Sequence, residues 1–490
     1  MTATTNLIVA GGDSLSQQVA TAVASGAMSV ARNRCVLFGD SITAYNTATA
    51  SNALANQARG YMTWANILLG ERRLEVVSNL GVGGDTTAQM LARINSVLAV
   101  DAEYVVVLGG INDLLGNYFT IDTVTSNLTA IYELLRAAGR KVIAVSTLPV
   151  TAAHPNYTQQ AATRVRAVGN WIADYCRSHA GMIYVDGMGA VLDTTSSGLV
   201  PTTGYFADST HPGVPGAYAI GKAIKTTVYN LIPPLANGPS SVGDSYLAAQ
   251  RTLTSLTGTG VTATATLAAH GLLVGDPITI EGATPAGYNG SWIVTTVPTT
   301  GTFTYACTAS GAATGTIKVS NSDQILDNPL FGTPSAGLAS SWTIIESSTT
   351  STPTTSSRTD GKGNWQQLSV TSSGASAFVT LQGGDHITRV FSGDTIVFEC
   401  EIECDATPVN LEGIQLELNC IAGGTVYTAI ANYRLTGSTA PNEAWSGVLR
   451  TEPLTLSGAI TRCRPKALAY FSAAGNAVFR VGRAKVIKIR

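Results

Sequence analysis

Cys35-Val36-Leu37-Phe38-Gly39-Asp40-Ser41 decides how this chain reads: four apolar residues run into a Gly-Asp turn and then a serine. A short unbroken apolar run fits a strand covered on both faces, as in a parallel sheet. Outward from it lie Leu74-Glu75-Val76-Val77-Ser78, Tyr104-Val105-Val106-Val107-Leu108, Lys141-Val142-Ile143-Ala144-Val145 and Met182-Ile183-Tyr184-Val185. Residues 86–98, 124–138 and 159–178 between these runs have helical spacing, and a further helix is expected over 214–229. Strands alternating with helices predict a three-layer, doubly wound α/β domain over residues 34–235. In such sheets, sites form at the carboxyl ends of the strands.

Three short islands occupy those positions, Gly39-Asp40-Ser41, Gly81-Val82-Gly83-Gly84-Asp85-Thr86 and Gly110-Ile111-Asn112-Asp113, and a fourth, Asp208-Ser209-Thr210-His211-Pro212, follows in a loop before the last helix. A serine hydroxyl becomes a useful nucleophile only when a base takes its proton, and that base needs an orienting partner. Ser41 is the candidate nucleophile. Three histidines precede residue 235, namely His154, His179 and His211. Of these, only His211 has a carboxylate, Asp208, three residues before it in a loop and Pro-Gly after it. The Ser41 and Gly84 amides and the Asn112 side chain are candidate donors to a developing oxyanion. Asp40, Asp85 and Asp113 read first as loop-fixing carboxylates, with Asp40 and Asp85 also possible cleft residues. His154 is a possible cleft residue or a plain loop histidine, and His179 is a charge at a helix end.

These islands, in this order, resemble the blocks of the SGNH (GDSL-like) hydrolases. The first block is similar to Val36-Leu37-Phe38-Gly39-Asp40-Ser41-Ile42-Thr43, the second to Asn79-Leu80-Gly81-Val82-Gly83-Gly84-Asp85-Thr86-Thr87, and the third to Gly110-Ile111-Asn112-Asp113. The fifth is similar to Asp208-Ser209-Thr210-His211-Pro212. The resemblance covers residues 34–232. It implies a flavodoxin-like sheet, Ser41 as nucleophile, His211 as base with Asp208 behind it, and Ser41, Gly84 and Asn112 as oxyanion hole. It implies no metal and no cofactor. Gly12-Asp13-Ser14-Leu15 is a more literal match to the family's tetrad, and Gly243-Asp244-Ser245 is a third tripeptide. Ser14 follows only Leu7-Ile8-Val9, with no strand–helix alternation before Arg34, and Ser245 falls in a linker. Ser41 is preferred to both.

Ile232-Pro233-Pro234 stops the last helix and opens a Ser/Gly linker over 236–251. Residues 252–320 then carry short Thr/Val/Ile runs broken by Gly, Asn and Pro, predicting a small all-β module that is similar to β-domains of bacteriophage tail proteins. His270 within it reads as a turn or core residue. Residues 321–490 alternate in longer runs, such as Thr395-Ile396-Val397-Phe398-Glu399-Cys400, and predict a β-sandwich of jelly-roll type, resembling carbohydrate-binding modules. Trp342, Trp365 and Trp445, with Tyr427 and Tyr433, are candidates for stacking on sugar rings, with core packing as the alternative. Arg480, Arg483, Lys485, Lys488 and Arg490 alternate with apolar residues and read as a solvated strand face or a subunit contact.

A chain of 490 residues is too long for one core. Only 12% of residues are charged and the net charge is −2, which gives no electrostatic reason to expect nucleic acid or a membrane surface as partner. Mean hydropathy is +0.19, yet no run approaches the roughly 18 apolar residues of a membrane span. The seven scattered cysteines are expected to be buried and reduced. Cys400 and Cys404 would share a strand face too far apart to bridge. Residues 1–31 hold no Lys or Arg, so the basic start of a secretory signal is missing, and residues 1–33 are expected to be an arm that attaches to a larger assembly, with an ordinary frayed leader as the alternative. The combined expectation is a phage tail-fibre or tailspike esterase, made in the host cytoplasm and released by lysis. It would act at the bacterial surface as a homotrimer, removing O-acetyl groups from polysaccharide. The alternatives are a bacterial acetylxylan-type esterase with a binding module, and a chiefly adhesive tail protein with a vestigial esterase.

Overall fold

The computed structural model describes residues 33–233 except 48–56, 71–72 and 117–118, and residues 251–489 except short stretches. The expected arm (apart from Asn33), most of the linker, Ser14 and Ser245 lie outside the described residues.

Five strands, β1 (Arg34–Gly39), β2 (Glu75–Gly81), β3 (Tyr104–Leu108), β4 (Lys141–Val145) and β5 (Met182–Val185), form one sheet in the order β2-β1-β3-β4-β5. All its pairings are parallel. The helices are α1 (Ser41–Ala44), α2 (Tyr61–Leu69), α3 (Thr87–Ala92), α4 (Ile94–Leu98), α5 (Ile121–Ala137), α6 (Gln159–Ser178), α7 (Gly187–Val191) and α8 (Val214–Val228). Every residue of β3 is buried. Because successive side chains point to opposite faces, the sheet is covered on both sides, as its unbroken apolar runs predict. Gly39 of β1 lies beside Gly81 of β2 and Leu108 of β3. The three strands therefore end level, and the segments after them share one edge. Gly39 must be glycine, since a Cβ there would stand 2.1 Å from the Leu108 carbonyl oxygen.

The 86–98 segment, read as one helix, is broken at Arg93 (φ −108°, ψ 18°) into α3 and α4. The break turns the arginine inward to the strand ends described below. Strand β2 runs on to Gly81, past the expected end at Ser78, because its last residues pair with Phe38 and Gly39.

The sequence signals for α2 were weak because it is apolar all round, as a helix buried on every side must be. Tyr61, Met62, Ala65 and Leu69 enter the core of the α/β domain, while Trp64 and Ile67 enter the core of the C-terminal unit together with Val214, Ala217 and Tyr218. Trp64 meets Trp445 and Tyr218 edge to face, each with centroids 5.3 Å apart. Lys222 pairs with Glu443 at 2.5 Å.

Residues 251–320 form an antiparallel eight-stranded sheet with its own core. His270 is buried there and its Nδ1 accepts from the Leu272 N–H at 3.0 Å. The remaining strands, from Trp342 onward, join a ten-stranded antiparallel network through one long strand, Ile460–Ile489. The C-terminal region is thus β-rich and antiparallel, at a coarser level than the jelly roll expected. The Arg480–Lys488 series corrects the expectation of a solvated face. Arg480 and Arg483 pair with Glu403 and Glu401, Lys485 and Lys488 are buried, and Lys488 pairs with Asp394 at 3.1 Å and donates to Ser291 of the small module at 2.6 Å. All seven cysteines are buried and unbridged.

The strand Trp445–Arg450 lies against α2 so closely that a Cβ on Gly447 would stand 2.3 Å from the Ile67 carbonyl oxygen. Gly447→Ala is expected to force the two units apart, at a cost of about 1–3 kcal/mol for overpacking. Tryptophan-monitored urea unfolding should show an earlier transition, separated from that of the α/β domain. An unchanged single transition would refute this packing.

Candidate active site

Ser41 opens α1 immediately after β1. Its helix is started by Asp40, whose carboxylate accepts the Ile42 N–H at 2.9 Å, a side-chain cap of the kind that satisfies an orphan helix donor. At the other end, Asn79 donates to the Thr43 and Ala44 carbonyls and Asn46 to the Thr43 carbonyl. Both ends of this single turn are therefore bonded, which fixes Ser41.

His211 comes from the loop before α8 and reaches Ser41 across 170 positions of sequence. Its Nε2 lies 2.8 Å from Ser41 Oγ, while its Nδ1 lies 3.0 and 2.9 Å from the two Asp208 oxygens. A proton on Nδ1 held by the carboxylate leaves Nε2 to accept from the serine hydroxyl, the tautomer a base requires. Burial works to raise the Asp208 pKa, but the Thr210 and His211 backbone N–H groups and the imidazole together hold it below the ordinary carboxylate value. Asp208 thus stays ionised behind the ring.

The islands after β1, β2 and β3 are tied to one another. Arg93 donates from Nε to Asp85 (2.6 Å), from Nη1 to the Leu80 carbonyl (2.7 Å) and from Nη2 to the Gly39 carbonyl (2.8 Å). Asn112 donates to the Asp85 carbonyl at 2.9 Å. Asp113 accepts from the Thr87 N–H at 2.9 Å and from its hydroxyl at 2.5 Å. Gly84 is exposed in the turn between these anchors. The candidate oxyanion donors Ser41, Gly84 and Asn112 thus follow the ends of three adjacent strands.

Asp40 and Asp85 are buried structural carboxylates rather than cleft residues, because one caps α1 and the other holds Arg93. His154 is half-buried, and its Nδ1 accepts the Asn156 N–H at 3.1 Å; burial lowers its pKa. Its loop supports the site indirectly, through the Thr151 N–H donating to the Ser209 carbonyl at 2.9 Å. Trp342 and Trp445 are buried, the first against Phe331 and the second against Trp64, so neither ring offers a face to a sugar. Trp365 is covered on one face by Arg358 at 4.1 Å. Tyr433 is 42% exposed. Among the described residues no group of three or more His, Cys, Asp or Glu is placed to hold a metal ion.

Arg93 and Arg59 escaped the sequence reading. Arg93 carried no signal beyond its place in a helical stretch. Arg59 follows residues 48–56 and belongs to no motif, yet it touches the His211 loop.

Residues 37–219 match the GDSL-like Lipase/Acylhydrolase family. Among solved structures, the chain is similar to a lipase/acylhydrolase from Enterococcus faecalis at 24% identity, covering 41% of this chain and 97% of that one, with a TM-score of 0.32. An acetyl-xylooligosaccharide esterase from Geobacillus is 18% identical, over 41% of this chain and 96% of its own, with a TM-score of 0.32. An α/β hydrolase from the metagenome of Lake Arreo, Spain, is 20% identical over 43% of this chain and 99% of its own, with a TM-score of 0.34. No curated protein matches the chain. Residues 37–219 thus form a GDSL/SGNH acylhydrolase domain, of a family of ester-hydrolysing enzymes.

Asp40 also makes folding depend on pH. Burial, the largest influence, raises its pKa to about 7; the Ile42 N–H opposes this, and the Asp113 and Asp85 carboxylates add to it. An aspartate in the unfolded chain ionises near pH 4. Between these values the folded state binds the extra proton, so stability falls as pH rises through that window. The fall is on the order of 4 kcal/mol at most. Asp40→Asn keeps the capping oxygen but has no proton to lose, so urea unfolding at pH 5 and pH 8 should show a smaller loss for the variant than for the wild type. Equal losses would contradict the assignment.

Proposed function

We propose that this protein is a serine carbohydrate esterase that removes O-acetyl or similar short acyl groups from a bacterial surface polysaccharide. The observation that carries the reading is the contact of His211 Nε2 with Ser41 Oγ at 2.8 Å, with Asp208 on the far nitrogen. Ser41 Oγ attacks the acyl carbonyl as His211 takes its proton. The tetrahedral oxyanion is held by the Ser41 and Gly84 amides and the Asn112 side chain, and one such donor contributes about 10²–10³ in rate. Collapse expels the sugar oxygen, which takes the proton from His211. Water, deprotonated by the same ring, then cleaves the acyl-enzyme and restores Ser41. No step calls for a metal or cofactor.

The β-rich region behind the hydrolase supports a role on extended glycan. In this reading the small module and the C-terminal jelly roll belong to a phage tail fibre or tailspike that is trimeric, attached through residues 1–33 and active at the bacterial surface. Of the C-terminal aromatics considered for sugar stacking, Tyr433 is the most exposed and so the best placed to meet a sugar ring.

Acetate release from purified O-acetylated polysaccharide, and hydrolysis of p-nitrophenyl acetate, test the chemistry. Ser41→Ala is expected to lower kcat by about 10⁴-fold or more, while Ser14→Ala leaves it unchanged. Loss in Ser14→Ala with retention in Ser41→Ala would overturn the reading. Hydrolysis of the small ester without release from any acetylated glycan would overturn the substrate class alone.

A further inference from the structure

Arg59 joins the hydrolase site to the C-terminal unit, and neither its sequence context nor its domain explains it. Its side chain is only 12% exposed. Nε donates to the Pro212 carbonyl at 2.8 Å, Nη2 lies 3.5 Å from Asp208 Oδ2, and the guanidinium sits 4.0 Å over the Tyr45 ring. Tyr45 in turn meets the His211 ring edge to face, with centroids 5.1 Å apart. One planar cation therefore touches the carbonyl after His211, the carboxylate behind it and the aromatic ring packed against it. A guanidinium suits this arrangement because it can donate in its plane and stack through its face at once.

Arg59 does not hold itself there. The two residues before it form a strap pinned from both sides. The Gln57 N–H donates to the Asn46 carbonyl at 3.3 Å, and the Ala58 N–H donates to the Tyr433 carbonyl of the C-terminal unit at 2.9 Å. Gln57 and Tyr433 form a parallel β-bridge. The Ala58 carbonyl is taken by Trp64 Nε1 at 2.6 Å, and Trp64 packs on Trp445. Tyr433 is itself placed by Asn432, whose side chain donates to the Ile414 carbonyl at 2.7 Å. The backbone that presents Arg59 is thus clamped to the β-rich unit.

We infer that Arg59 is a positioning residue for the Asp208–His211 pair, and that docking of the C-terminal unit, through the Tyr433–Ala58 bond and the Trp64–Trp445 contact, holds it in place. The C-terminal unit then acts on the turnover of the ester itself and not only on where the enzyme is delivered. The inference rests on the proposed serine mechanism, because positioning matters only if His211 is the base. Misplacing a reacting group by about 1 Å costs about 10²-fold, and that sets the scale of the effect.

The test uses the full chain and p-nitrophenyl acetate, an ester too small to engage a distant glycan site. Arg59→Ala should lower kcat by about 10–100-fold with KM within about twofold, and added guanidinium at millimolar concentration should restore part of the loss. Arg59→Lys should recover little, since an ammonium cannot donate in a plane and stack together. Gly447→Ala, which unseats the interface, should lower kcat similarly, and the double variant should be no worse than Arg59→Ala alone. If Gly447→Ala does not fold, Ala58→Pro, which removes the N–H donor to Tyr433, takes its place. Arg59→Ala with wild-type kcat, or additive losses in the double variant, would overturn the inference while leaving the serine mechanism standing. A wild type that does not hydrolyse the ester, or a Ser41→Ala variant as active as wild type, would instead remove the mechanism on which the inference rests.

Discussion

The guanidinium of Arg93 sits where the carboxyl ends of β1 and β2 meet, and donates to a carbonyl of each and to Asp85 in the turn beyond. These carbonyls sit at the strand ends, and that of Gly39 also accepts the Val82 N–H at 3.0 Å. A charged donor satisfies three acceptors at once and locks the Ser41 turn to the Gly84 turn. It also stacks 4.7 Å over the Phe38 ring, so its charge faces the site loops and its plane closes the core beneath them. Asp85 carries the lock onward to Asn112 through its carbonyl. Deleting one partner of a largely buried pair leaves an uncompensated charge, which typically costs about 3–5 kcal/mol. The convergence of Ser41, Gly84 and Asn112 depends on this pairing as much as on the sheet order.

That order explains why the site can be assembled from distant pieces. With β1 between β2 and β3, successive connections leave the sheet centre in opposite directions, and a crevice opens at the carboxyl end of the switch point. Ser41, the Gly84 turn and Asn112 enter it from adjacent strands. His211 reaches it from the loop before α8, supported by the Thr151–Ser209 backbone bond. The same α8, with α2, forms the floor on which the C-terminal unit rests. The helices that bracket His211 are therefore the ones that bear the second domain.

What could be read from the sequence was local in origin. The apolar runs of β1, β3 and β4 announce themselves because a strand buried on both faces cannot alternate. The Asp208–His211 pair is visible because three residues separate the carboxylate and the imidazole within one loop. Residues whose roles come only from distant partners left no such trace. Arg93 appeared as one more residue in a helical stretch, and only the sheet brings Gly39 and Leu80 to it. Trp445 was weighed as a sugar platform because an aromatic in a β-rich tail can serve that role; it is buried because α2 from the other domain lies on it. Lys485 and Lys488 looked solvated by their alternation with apolar residues, but Glu399 of the strand Thr395–Cys404 stands opposite Lys485, and Asp394 just before that strand pairs with Lys488. In each case a contact far apart in sequence overrode a correct local pattern.

The central claim is that the hydroxyl of Ser41 is made nucleophilic by the imidazole of His211. Reaction of the intact protein with a fluorophosphonate, which captures only an activated serine, followed by mass spectrometry of the peptides, tests it most directly. The account predicts one adduct, on Ser41, that disappears in His211→Ala. An adduct on Ser14 or Ser245, or labelling of Ser41 that persists without the imidazole, would contradict it.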